Sequence, residues 1–151
     1  MGGDEGFRIL SGVDGSGPAR LALEWAVAEA RLRHGQVRVV TAWQFPPVTV
    51  GMEGLIRDPD VFPQAARRLQ NETLQRVDSE GVTVTGDVVQ GHPADVLLRA
   101  AEDADLLVVG SRGLGGFTGM LLGSVSTQIL HHSPCPVLMV RTRSRTGGEE
   151  E

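Results

Sequence analysis

Hydrophobic positions along the chain follow two periods in alternation. Compact aliphatic runs at residues 37–42 (VRVVTA), 106–109 (LLVV) and 136–140 (PVLMV) predict buried β-strands. Weaker runs of the same kind lie at 7–13 (FRILSGV) and 82–89 (VTVTGDVV). Between them the apolar residues recur at helical spacing. Residues 18–34 carry Leu21, Leu23, Trp25, Ala26, Val27 and Ala30, with Arg20, Glu24, Glu29 and Arg31 on the other face. Ser16 supplies an N-cap for this helix and Gly35 a stop, and Trp25 reads as a core residue. Residues 63–79 turn Ala66, Leu69, Thr73, Leu74 and Val77 inward. Residues 93–101 open on Pro93 and carry Val96, Leu97 and Ala100; residues 122–132 end before Ser133-Pro134.

The order is β-α-β-α-β-α-β-α-β. It predicts an α/β fold: a single parallel sheet of five strands, with helices on both faces and right-handed crossovers. One domain spans 7–141, between a flexible start (1–6) and a flexible tail (142–151) ending in TGGEEE. Residues 44–62 contain Pro46, Pro47 and Pro59, with Pro63 just beyond, and no clear period; they read as a mobile surface loop.

Composition narrows the function classes. At 151 residues and 40% hydrophobic content the chain can bury a true core. Its net charge of −5 argues against a general nucleic-acid binder or an anionic-membrane binder. All 14 basic residues are Arg, which excludes a lysine Schiff base and a Walker-type phosphate loop. The single cysteine, Cys135, excludes an internal disulfide and a multi-cysteine zinc site, and fits a reducing compartment. No apolar run reaches the ~18 residues of a membrane span, and the start of the chain has no signal-peptide pattern. A myristoylation reading of Met1-Gly2 fails at position 6, which is Gly.

The chemistry concentrates in GSRGLGGFTGMLLGSVS, residues 110–126. This run follows the fourth strand and leads into the last helix. Glycines after a strand permit positive φ and close approach of the backbone to a ligand. Converging amides, together with the helix start at Gly123, Ser124, Val125 and Ser126, can hold an anion without lysine. The Ser124 and Ser126 hydroxyls can add donors, and Arg112 is the candidate side-chain phosphate contact, with a solvated loop arginine as the plain alternative. Glycine-rich turns also occur with no ligand. Asp14, in GVDGS at 12–16, ends the first strand, where ligands of open α/β sheets sit. It reads equally as a ribose or metal–phosphate contact and as a cap on its own turn. Ala42, at the end of the second strand, would flank the same crevice.

These motifs resemble those of the universal stress protein family, in its ATP-binding form. That family carries G-x2-G-x9-G-[S/T], matched here in full by Gly110, Gly113, Gly123 and Ser124. GVDGS, ADLLVVGSRG (104–113) and SPCPVLMVR (133–141) match in the same order, so the resemblance spans nearly the whole chain. It implies a doubly wound, Rossmann-like sheet of strand order 3-2-1-4-5, with ATP, alone or with Mg²⁺ or Mn²⁺, in the crevice between strands 1 and 4. Asp14 would hold the ribose or adenine side and Ala42 would offer backbone groups to adenine. Val109 and Gly110 would line the nucleoside, Gly113 would pass close to the phosphates, and Gly123, Ser124, Val125 and Ser126 would cradle them. Gly12 replaces a bulkier residue, which alters the adenine pocket.

Several other residues have plain readings. His131 and His132 are adjacent on a helix and diverge by about 100°, so they suit a helix C-terminus better than a metal. Cys135 reads as a small buried residue, His92 as a turn residue far from the crevice, and Asp105 as lying at the wrong end of its strand. The apolar last strand, 137–141, would be a sheet edge that invites association, and the resemblance likewise implies a homodimer through it. The resulting expectation is a cytoplasmic, nucleotide-dependent stress-response regulator. A slow ATP hydrolase or phosphoryl transferase is the enzymatic alternative; it is weakened by the lack of a placed general base, with only Asp14 and His92 to consider. An interaction module with an empty glycine loop is the third.

Overall fold

The computed structural model describes residues 6–46, 58–113 and 122–142. Residues 47–57, most of the expected surface loop, and 114–121 of the glycine run lie outside them, as do 1–5 and 143–151 of the expected flexible ends. The elements are β1 (Arg8–Gly12), α1 (Gly17–Arg33), β2 (Gln36–Trp43), α2 (Val61–Gln75), β3 (Thr83–Gln90), α3 (Pro93–Ala100), β4 (Leu106–Gly110), α4 (Ser124–His132) and β5 (Val137–Val140). A 3-10 turn, Ala101–Asp103, follows α3. The five strands form one parallel sheet in the order β3-β2-β1-β4-β5.

Two apolar layers flank the sheet. On one face Ala22, Leu23, Ala26, Val27 and Ala30 of α1 pack with Ile9, Val37, Val39 and Val108, and α2 adds Leu69 and Leu74. On the other, Val96 and Leu97 of α3 and Ile129 of α4 cover Leu10, Val40, Leu107 and Val109. Strand residues thus alternate between two buried faces, which is why the runs read as continuously apolar.

Local chemistry moved several boundaries. Ser16 caps α1 as expected, accepting from the Ala19 amide at 3.2 Å. At the other end of α1 the left-handed residue is His34 (φ 55°), not Gly35. Gly35 is required for a different reason: a Cβ there would run into the carbonyl oxygen of Phe7. Trp25 is a correction, since it is 49% exposed. Small residues at 19, 22, 26 and 30 bring α1 close to the sheet, and Trp25 falls on the outer flank of that stripe. Val61 and Phe62 belong to α2 rather than to the preceding loop, because Pro63 is tolerated inside a first turn. Gln70, unmarked by its polarity, is fully buried in α2. Its amide donates to Thr41 Oγ1 at 3.0 Å and to the Asp87 carbonyl at 2.9 Å, and Gly86 leaves the room it needs.

Candidate anion and nucleotide site

The strand order reverses direction between β1 and β4, so their connections leave on opposite faces and a crevice opens beyond their carboxyl ends. A cavity of about 360 Å³ occupies that crevice. The residues that the family resemblance and the glycine run assign to the nucleotide, as far as they are described, all line it. Gly12 and Asp14 come from the end of β1, Ala42 from β2, and Val109 and Gly110 from β4. Arg112 and Gly113 follow β4, and Gly123, Ser124, Val125 and Ser126 form the start of α4. The chain brings these together from positions more than a hundred residues apart because parallel strands place all their carboxyl ends at one edge.

The start of α4 differs from that of its neighbours. α1 and α3 close their own first turns: Ser16 Oγ accepts from Ala19, His92 Nδ1 accepts from Ala94 at 3.3 Å, and each helix has Pro in its first turn. The N-cap of α4 is Gly123, which has no side chain to offer. First-turn amides have no partner within their own helix, so those of Ser124, Val125 and Ser126 are left to the crevice side. The Gly123 amide itself is spent, donating to the Ser111 carbonyl at 2.8 Å.

The three glycines of the spacing motif do different jobs, and none has positive φ. The positive φ expected for this run is therefore absent at these positions; close approach is the reason for glycine. A Cβ on Gly110 would meet the Pro18 backbone at 2.9 Å. One on Gly113 would meet Asp14 Oδ2. One on Gly123 would make only ordinary contacts among the described residues, with Arg112 Cα nearest at 3.5 Å, so at this position the helix start tolerates a side chain that the motif does without.

Asp14 serves its own turn as well as facing the crevice. Its Oδ1 accepts from the Ser16 amide at 2.9 Å, while Oδ2 lies beside Gly113. Ser126 departs from the expected hydroxyl contact with phosphate: it is buried and donates to the Gly110 carbonyl at 2.7 Å. Gly12 is matched by Leu97, whose Cδ1 would lie 2.8 Å from a Cβ there. Leu97 and Pro93 of α3 form a wall of the cavity that sequence reasoning missed. The signal available was Pro93, which opens a helix directly after β3. His92, expected as a turn residue far from the crevice, instead caps α3, and its neighbour Pro93 lines the cavity.

The remaining candidates stay outside. Asp105 lies at the amino end of β4 and accepts from the Arg8 amide at 2.8 Å. His131 and His132 sit in the last turn of α4 with ring centres 6.3 Å apart. Among the described residues no group of three metal-ligating side chains gathers anywhere. Cys135 is half-buried rather than fully enclosed, with Sγ 3.8 Å from Ser133 Oγ. No described helix is long and apolar enough to cross a membrane.

Known proteins share this fold. Residues 7–141 match the universal stress protein family. A universal stress protein of Thermus aquaticus is 36% identical over 141 residues, covering 88% of this chain and 97% of that protein. One of Mycobacterium tuberculosis, Rv2005c, is 39% identical over 135 residues; the match covers 88% of this chain but 45% of the relative, so the chain spans about half its length. Among solved structures, the universal stress protein UspA from Lactobacillus plantarum superposes with a TM-score of 0.77 at 22% identity, covering 89% of this chain and 97% of that one. A universal stress protein in complex with cAMP superposes at 0.67 with 28% identity, covering 93% of this chain and all of the other. With the sheet order, the glycine spacing and the match over 7–141 in agreement, the chain belongs to the universal stress protein family.

Proposed function

We propose that the crevice binds an adenine nucleotide, ATP, and that the protein is a nucleotide-dependent regulator of a stress response. The observation that carries this reading is the unclosed first turn of α4, opening beside Gly113 into a 360 Å³ cavity with apolar walls. Amides and the helix dipole suit phosphates, and the wall of Ala42, Val40, Leu97 and Val109 suits a flat, weakly polar base. The relative solved with cAMP supports an adenine ligand. Asp14 faces the ribose, and Arg112 stands near the phosphates. Among the described residues Asp14 is the one carboxylate on the cavity wall, so Mg²⁺ or Mn²⁺ would be carried chiefly by the nucleotide's own phosphates.

A regulatory role is favoured over turnover because the single lining carboxylate among the described residues already serves the Asp14–Ser16 turn. The lone cysteine suits a reducing compartment, and we place the protein in the cytoplasm. β5 is an edge strand of the sheet, and we propose that two copies pair along it, through residues 137–141. A monomer in light scattering at micromolar concentration would remove that part of the proposal.

Denaturing the purified protein and chromatographing the supernatant tests for bound nucleotide. Calorimetry with millimolar ATP, with and without divalent cations, tests the site directly. Absence of both heat and thermal shift would end the nucleotide reading. Steady phosphate release that disappears in Gly123→Val would convert the regulator into a slow hydrolase.

A further inference from the structure

We infer that Ser126 is a positioning residue of the anion site: its hydroxyl fixes the Gly110–Ser111 peptide, and only its main-chain amide meets the ligand. The inference rests on the nucleotide reading above and gives one residue of that site a role of its own. A hydroxyl has one proton, and that of Ser126 is committed to the Gly110 carbonyl at 2.7 Å in a setting where the serine is 5% exposed. The other side of the same peptide is held as well, since the Ser111 amide donates to the Val140 carbonyl at the end of β5, at 2.8 Å. The next carbonyl, of Ser111, accepts from the Gly123 amide at 2.8 Å. Behind Gly110 stands the Pro18 backbone, so the peptide cannot retreat.

These contacts tie the first turn of α4 to the end of β4 at two points, Gly123 and Ser126. Between the two points lie Ser124 and Val125, which line the crevice and whose first-turn amides have no acceptor within their own helix. Their direction is therefore set by the bonds on either side. Ser124 is different: its hydroxyl makes no hydrogen bond among the described residues, and it lines the cavity. Of the two serines, Ser124 is the side-chain contact and Ser126 the fastener. Loss of the Ser126 hydroxyl leaves a buried carbonyl without its donor and lets the first turn rotate.

The test compares wild type, Ser126→Ala, Ser126→Thr and Ser124→Ala by calorimetry with ATP and with adenosine, and follows the Gly110 carbonyl ¹³C resonance. Ser126→Ala should weaken ATP binding on the order of tenfold, as expected from one lost buried hydrogen bond, while adenosine binding stays within about twofold. Ser126→Thr, which keeps the hydroxyl, should restore ATP affinity. The Gly110 carbonyl resonance should move in ligand-free Ser126→Ala and stay in place when ATP is added to wild type. A wild-type resonance that moves on ATP addition as far as it does in Ser126→Ala would show the hydroxyl swinging to the phosphate and overturn the inference. Equal ATP affinity in wild type and Ser126→Ala would also overturn it, leaving the nucleotide reading intact. Should Ser126→Ala fail to fold, Ser126→Cys, which removes the hydroxyl at similar volume, supplies the reference shift. Failure of wild type itself to bind ATP would remove the nucleotide reading and this inference together.

Discussion

The Oδ2 atom of Asp14, at the end of the first strand, lies against the α-carbon of Gly113, just past the fourth, so closely that no side chain fits between them. A residue early in the chain and one in the glycine motif thus form opposite lips of one crevice. The contact gives the glycine a reason that does not depend on φ.

Gly113→Val is expected to push Asp14 aside and block the backbone approach. ATP affinity should fall by roughly a hundredfold or more. The fold should survive, because the clash lies at the mouth of the crevice. Calorimetry for binding and circular dichroism for folding check both halves; unchanged affinity would remove Gly113 from the site.

Gly123→Ala should likewise separate binding from stability. Among the described residues the added methyl meets nothing closer than 3.5 Å, so stability should change by less than about 1 kcal/mol, the cost of alanine at an N-cap. The same methyl would stand where a phosphate approaches the first turn, and ATP affinity should drop by about tenfold. Thermal melting beside titration measures the two effects.

Gly110→Ala should act on folding first. Its Cβ would press on the Pro18 backbone at 2.9 Å, where neither strand nor helix can yield cheaply. Overpacking of this kind costs about 1–3 kcal/mol, measurable by urea unfolding. A variant as stable as wild type would show that α1 can move away from β4.

Ser11→Ala should stabilise the protein or leave it unchanged. Ser11 is 0% exposed on β1, and its hydroxyl has no hydrogen-bond partner among the described residues. Burying an unpaired hydroxyl is unfavourable, so its removal should gain up to about 1 kcal/mol. A marked loss in chemical denaturation would mean that the hydroxyl has found a partner in solution.

The hydrophobic pattern alone was enough for the element order and the two-faced sheet, because a parallel strand buried on both sides leaves a continuous apolar run that few other structures produce. The glycine spacing together with Asp14 likewise picked out one crevice, since parallel strands carry their carboxyl ends to the same edge. Tertiary packing alone decided which member of each pair does what. Trp25 is exposed because alanines on the neighbouring stripe fit closer to the sheet, and Gln70 is buried because Thr41 and the Asp87 carbonyl satisfy its amide. Leu97 entered the cavity wall because Gly12, on a different element, left it room. Ser126 turned from the crevice to Gly110 because a carbonyl 16 residues away stands within reach of its hydroxyl. Such partners are distant in the chain and near only in space, so no local pattern records them.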